Sequence, residues 1–151
     1  MNRTVKASAA LAAAGFALAA GTGTAAAAPQ SHYARTAGVP TVAYGPACAG
    51  QVFGHATAKR ATPGMVTFHT IAMFAGISGT PRMCEVTATF HWRNTATGAR
   101  GSVGGITGGV WLTDAQNILV REVRTGSGPV TFTLTTDRPY LAQPPATIDV
   151  F

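Results

Sequence analysis

Cysteine carries the most specific chemistry in this sequence, and the chain has only two of them, Cys48 and Cys84. An exported protein folds in an oxidising compartment, where two cysteines are expected to join in one intramolecular disulfide. A catalytic thiol would instead need a free cysteine of low pKa beside a histidine. The sequence therefore predicts a disulfide between Cys48 and Cys84.

The chain has four histidines, and two of them, His69 and His91, fall at polar positions of neighbouring predicted strands. If these strands form a hairpin, the two imidazoles are diagonal neighbours about 7–8 Å apart. Together with Glu85 they define an alternative hypothesis, a small secreted enzyme or metal-binding protein. No H-x-x-x-H or H-E-x-x-H spacing supports a metal site. We therefore expect surface histidines and neither a metal ion nor another cofactor.

Acid–base catalysis needs a positioned pair of titrating groups. The five acidic residues are at least eight positions apart in the sequence, and no serine lies in a G-x-S-x-G motif. The sequence predicts that this protein is not an enzyme. A protease inhibitor that uses the loop over residues 76–82 is a further alternative, marked only by Pro81 and Arg82.

A glycine-rich segment over residues 98–109 is the other feature that suggests binding. It lacks the G-x-G-x-x-G and G-K-[ST] patterns of phosphate loops. Glycine lets a ligand or a partner backbone approach closely, and a neighbouring tryptophan offers a flat surface to a sugar. The competing interpretation is a region where strands turn and bulge. The candidate binding residues are Gly104, Gly105, Gly108, Gly109 and Trp111.

The strands that must position these residues follow a period-2 pattern. Over 83–93 the even positions, from Cys84 to Trp92, are apolar and the odd positions are polar, which is typical of a half-buried strand. Over 65–74 the even positions, from Val66 to Phe74, are the smoother apolar face. If the two segments pair through residues 76–82, an even register places their apolar faces together.

Gly and Pro turn residues recur at regular spacing between short segments rich in Val, Thr, Phe and Ile. This spacing predicts an all-β, antiparallel two-sheet sandwich of immunoglobulin-like architecture with seven to nine strands. The β domain is expected over residues 41–151. Residues 28–40 lack periodicity and contain Pro29, Gly38 and Pro40, so we interpret them as a flexible tether.

The first 27 residues predict a cleaved helical signal peptide: Arg3 and Lys6 precede an uncharged run over residues 7–20 and a small-residue cleavage site. The run is shorter than the roughly 20 residues that span a bilayer. We therefore expect a secreted or envelope-associated protein that does not span a membrane. Arg outnumbers Lys, and Ala and Gly are abundant, which indicates a GC-rich bacterial genome such as that of an actinobacterium.

Charge narrows the class of partner. Removing Arg3 and Lys6 leaves nine basic and five acidic residues, a net charge of +4, and the basic residues are scattered. Nucleic-acid binding, which needs a clustered basic face, is therefore not expected. Weak attraction to anionic envelope polymers is expected instead. The sequence predicts a monomeric, non-catalytic binding or interaction module whose ligand, an envelope polymer or a protein, stays unknown.

Overall fold

The structure is a computed structural model that describes residues 30–45, 47–76, 84–109 and 116–151. The predicted signal peptide, Trp111 and most of the loop over 76–82 lie outside the described residues. Every regular secondary-structure element in the described ranges is a β-strand. In that part of the chain, no helix has the length and apolar character needed to cross a membrane.

Within the described residues, ten strands form two antiparallel sheets, which we call sheet A and sheet B. The strands of sheet A are β1 (Ser31–Arg35), β2 (Val39–Val42), β3 (Ala49–Lys59), β4 (Met65–Ala75) and β8 (Val120–Arg124). The strands of sheet B are β5 (Glu85–Asn94), β6 (Arg100–Gly109), β7 (Gln116–Asn117), β9 (Gly128–Thr136) and β10 (Ala146–Val150). The all-β, two-sheet prediction is confirmed, although the described residues contain ten strand segments rather than seven to nine.

The core lies between the two sheets, and the predicted alternation identifies its faces correctly. The even positions are buried from Val66 to Phe74 in β4 and from Val86 to Phe90 in β5. The odd positions of both strands are half-buried or exposed. Three aromatic rings join the sheets: Phe68 of β4 lies 4.8 Å from Phe90 and 5.4 Å from Phe132, between ring centroids. This cluster holds the two layers together.

The predicted hairpin between β4 and β5 is wrong. β4 pairs with β3 and β8 in sheet A, whereas β5 pairs with β6 and β9 in sheet B. Both arrangements bury the same apolar faces, because the chain passes from one layer to the other between the two strands. The period-2 pattern is therefore the same for a β4–β5 hairpin and for two strands in opposite sheets, and it does not distinguish these arrangements.

Residues 31–35 and 39–42 differ from the predicted tether because they form β1 and β2, both paired with β3. Ala34 lies opposite Ala56 on the inner side of sheet A. The imidazole of His32 stacks on Phe151 with ring centroids 4.2 Å apart. These contacts with distant parts of the chain fix an edge strand that has little hydrophobic periodicity of its own.

The two cysteines meet at one end of the sandwich, in agreement with the predicted bond. Their Sγ atoms are 2.02 Å apart and their Cα atoms 5.7 Å apart. Cys48 immediately precedes β3 of sheet A, and Cys84 immediately precedes β5 of sheet B. The disulfide therefore links the two sheets, and both cysteines are buried.

Candidate functional site

The outer face of sheet B is polar over the three strands β6, β5 and β9. Hydroxyl groups dominate it, and basic side chains gather where β5 ends and β6 begins. Because antiparallel partners share a face, the register across these strands assigns the side chains to one surface. Its polar residues are Glu85, Thr87, Thr89, His91 and Arg93 of β5, Arg100 and Ser102 of β6, and Thr131, Thr133 and Thr135 of β9. Ile106 of β6, the register partner of Thr87, is an exposed apolar side chain on the same face.

A shallow cavity of about 440 Å³ opens at the basic end of this face. Its polar lining consists of Arg93, Arg100, His91, Ser102, Thr131 and Thr133. Trp92 also contributes to the cavity, beside Gly101. A Cβ atom at Gly101 would lie 2.9 Å from Cζ2 of the indole, so glycine at this position makes room for the ring. We call this cavity the arginine cleft.

Two arginines lie directly opposite each other in the arginine cleft. Arg93 of β5 is the register partner of Arg100 of β6, and both side chains are exposed. Like charges at opposed positions of neighbouring strands destabilise a sheet. Among the described residues that line the cleft, none is acidic. The arrangement therefore favours an anion that both guanidinium groups can contact.

A buried asparagine fixes the turn between the two arginines. The Nδ2 atom of Asn94 lies 3.0–3.2 Å from the carbonyl oxygens of residues 125, 126 and 127. Its Oδ1 atom accepts hydrogen bonds from the backbone N–H groups of Ala96 and Thr97. Since Asn94 is fully buried, these bonds hold the 95–99 turn, and with it the ends of β5 and β6, against the neighbouring loop.

The three residues of the alternative hypothesis, His69, His91 and Glu85, do not come together. His69 lies on sheet A and His91 on sheet B, so the layers of the sandwich separate them. His91 lies 3.1 Å from the hydroxyl of Thr135, between Nε2 and Oγ1. Glu85 is six residues along β5 from His91, about 20 Å away at the usual strand rise. Within the described ranges, no group of three or more His, Cys, Asp or Glu side chains has metal-binding geometry.

Instead, His69 pairs with His55 on the outer face of sheet A. The two are register partners on β4 and β3, and their rings stack with centroids 4.8 Å apart and 7° between planes. The hydroxyl of Tyr33 is hydrogen-bonded to Nδ1 of His55. Burial lowers the pKa of His55, as do the nearby charges of His69 and Arg35, and burial also lowers the pKa of His69. Both shifts favour the neutral form of the pair.

These lowered pKa values predict a pH-dependent stability. Unfolded histidines titrate near 6.5, and the folded pair titrates below that, so the unfolded chain binds more protons in the interval between. The free energy of unfolding should then be constant well above pH 6.5 and should fall as the pH decreases through 6.5. Urea unfolding between pH 5 and 8 measures this, and His69→Gln should flatten the decrease.

The matched control for the pH dependence is His91→Gln, because His91 is exposed and lies on the opposite sheet. Besides the two imidazoles, the residues on the neighbouring strands near the pair include Arg35 and Tyr33 of β1, and Val120 and Glu122 of β8. An equal flattening by both substitutions would contradict the assignment to the stacked pair.

The predicted glycine residues all lie in β6. The space beside them is filled by this chain: a Cβ at Gly104 would lie 2.6 Å from the carbonyl oxygen of Ala88, and one at Gly108 would lie 2.4 Å from that of Cys84. At Gly105 the nearest atom would be Cδ1 of Leu119, at 2.8 Å. Close packing therefore accounts for three of the four glycines. A role for Gly104, Gly105, Gly108 and Gly109 in ligand binding stays a prediction, and Trp111 is outside the described residues.

Sequence reasoning named His69 and His91 but missed the opposed arginines and the contacts of His69 with His55 and of His55 with Tyr33. The arginine pair could have been found, because residues 94–98 include Asn94 and Gly98, which favour a turn, and a hairpin around them places Arg93 opposite Arg100. The contact between Tyr33 and His55 had no comparable indication, since β1 was not predicted. No family model, curated protein or solved structure matches this chain. Its function is therefore argued from the geometry of these residues.

Proposed function

We propose that this protein is a secreted, envelope-associated, non-catalytic binding module that holds an anionic polymer in the arginine cleft. The observation that carries the proposal is the opposed pair Arg93 and Arg100, which shares one cavity with three hydroxyl side chains and His91. Guanidinium groups bind phosphate and carboxylate oxygens through paired hydrogen bonds. The surrounding hydroxyls provide partners for the sugar or polyol hydroxyls of such a polymer.

The hydroxyl side chains of β5 and β9 also agree with a polymer ligand. The hydroxyl face continues from the cleft along β5 and β9 through Thr133, Thr135 and Thr89, so a chain could lie along the strands beyond the two charges. The net charge of +4 expected after removal of residues 1–27 favours encounter with a polyanion.

The location of the protein is part of the same proposal. The cysteine pair at bonding distance is expected in an oxidising compartment. The amino-terminal sequence pattern supports export by a cleaved helical signal peptide over residues 1–27. We infer a bacterial, actinobacterial source from the composition, and an immunoglobulin-like type of sandwich from the two facing antiparallel sheets and the disulfide that links them. The module acts as a monomer.

Binding of the mature protein to immobilised poly(glycerol phosphate) tests the proposal, with polygalacturonate as a carboxylate polymer and dextran as a neutral one. Arg100→Gln removes one charged donor, which contributes about 1.5–3 kcal/mol, so we expect at least a tenfold loss of affinity. The control is Arg124→Gln, the same change on sheet A. Equal losses in the two variants, or equal binding to dextran, would overturn the proposal.

A further inference from the structure

The strand β6 has one edge along which its backbone groups are left without strand partners. β6 pairs with β5 along one side, but on the other side it pairs with β7 only at Gly108 and Gly109. The carbonyl of Ala99 and the N–H of Gly109 both bond toward β5, and this direction alternates along an antiparallel strand. The even positions of β6 therefore direct their N–H and C=O groups outward. Those that pair with no strand in the described ranges are Arg100, Ser102, Gly104 and Ile106.

This edge also lacks the features that keep exposed strands from pairing. Native proteins protect such edges with charged side chains, proline or a covering segment. At another edge, β8 carries three charged residues in five positions, and β10 meets β1, where Nδ1 of His32 lies 2.6 Å from the carbonyl oxygen of Asp149. β6 has neither a charged residue nor a proline over residues 101–109. A long edge of this kind is a template for a strand from another chain.

Basic side chains lie beside the edge on both faces of sheet B. Arg100 is exposed on the outer face, where β6 begins. On the inner side, a Cβ atom at Gly105 would lie 3.0 Å from Nη2 of Arg121, which is itself exposed. Between these two positions, Val103 is half-buried and packs against the core. A strand added at this edge would therefore meet one guanidinium group on each face, and guanidinium groups bind carboxylates strongly.

We propose that the outer edge of β6 binds an extended acidic segment of another protein, which adds to sheet B as an antiparallel strand. Main-chain hydrogen bonds to the even positions of β6 supply affinity, and the alternate side chains of the segment supply specificity. A residue opposite Arg100 lies on the outer face and one opposite Gly105 on the inner face. The segment therefore carries two acidic residues five positions apart, with an apolar residue opposite Val103. The backbone of β6 carries this inference, so it does not depend on polymer binding in the arginine cleft.

Fluorescence anisotropy of a labelled peptide, acetyl-VETVTTE-amide, titrated with the mature protein tests the proposal. In the antiparallel register its two glutamates lie opposite Gly105 and Arg100, and its second valine lies opposite Val103. We expect saturable binding of one peptide per chain. The matched peptide acetyl-VKTVTTK-amide has the same strand propensity but places like charges beside the arginines, and should bind at least tenfold more weakly.

Ile106→Pro tests the main-chain part of the site. The substitution removes one outward N–H and leaves the hydrogen bonds to β5 in place, because proline is tolerated at edge positions whose N–H faces solvent. It leaves a carbonyl of the bound peptide unpaired, so we expect at least a tenfold loss of peptide affinity. The control Ile106→Val keeps the N–H and should bind the peptide like wild type. Both variants should bind poly(glycerol phosphate) as wild type does, which separates the edge from the cleft.

Urea unfolding shows whether each variant is folded, and a change in the peptide tests the same bond without altering the protein. N-methylation of the threonine opposite Gly104 removes one donor of the added strand and should also weaken binding at least tenfold. The proposal is overturned if wild type shows no saturable binding of VETVTTE, or if VKTVTTK binds equally well. Unchanged affinity of the N-methylated peptide, or of a folded Ile106→Pro variant, would also overturn it, because binding would then not use the backbone of β6.

Discussion

Replacing Phe90 by alanine should lower the free energy of unfolding by about 3–5 kcal/mol, the usual cost of emptying a buried aromatic position. The ring is fully buried and contacts Phe68 of the opposite sheet as well as Phe132 of its own. Gly54 shows how closely the layers meet here, since a Cβ at that position would lie 2.6 Å from Cε1 of Phe90. The backbone of β3 therefore approaches the ring directly and cannot easily collapse into the space it leaves.

Urea unfolding monitored by circular dichroism measures this loss, and Phe53→Ala is the matched control. Phe53 is the same residue type on β3, but it lies on the outer face of sheet A and is only partly buried. We expect this control to cost less than half as much, because less apolar surface leaves contact with the protein. Equal losses from the two substitutions would show that Phe90 does not join the sheets in the way described.

The side-chain faces of the long strands could be predicted from the sequence because they depend on local periodicity. The alternation in β4, β5 and β9 requires one buried face, and Val66, Phe90 and Leu134 are buried as expected. The disulfide followed from a count of two cysteines in a chain expected to be exported. The strand faces depend only on residues within one segment. The disulfide depends only on the cysteine count, because two cysteines can form just one intramolecular pair.

The partner of each strand could not be predicted in this way. The segment after β4 leads to a strand in the other sheet rather than to a hairpin partner, and the alternation is compatible with both. The error carried over to the candidate metal cluster, because the proximity of His69 to His91 depended entirely on that hairpin. In the structure the neighbour of His69 is His55, through the pairing of β3 with β4.

The short strand β1 shows a second limit of sequence reasoning. Five residues with a histidine, a tyrosine and an arginine have little hydrophobic periodicity. Pairing with β3 stabilises them, and His32 packs on Phe151 from the other end of the chain. Because Tyr33 reaches His55 only through this pairing, its contact with the stacked histidines could not be predicted before the fold was known.

Arg93→Glu in the arginine cleft should change the free energy of unfolding and the affinity for the polymer in opposite directions. The substitution replaces two opposed like charges on β5 and β6 with an opposed Glu–Arg pair. Opposite charges on facing strand positions stabilise a sheet by about 0.2–1 kcal/mol, and like charges destabilise it. We therefore expect Arg93→Glu to raise the free energy of unfolding by about that amount while it lowers affinity for poly(glycerol phosphate) at least 100-fold, about 2.7 kcal/mol.

Opposite signs in the two measurements are the decisive result, because a variant that merely unfolds loses both stability and binding. The control is Arg124→Glu, which changes the net charge equally but lies on β8 of sheet A. Its affinity should decrease only slightly, through the long-range charge effect that salt screens beyond about 8–10 Å. If the control loses as much affinity as Arg93→Glu at 0.15 M salt, attraction depends on net charge alone and the cleft is not the site. If Arg93→Glu keeps its affinity, the opposed arginines have no part in holding the polymer, since the new carboxylate would repel every phosphate placed between them.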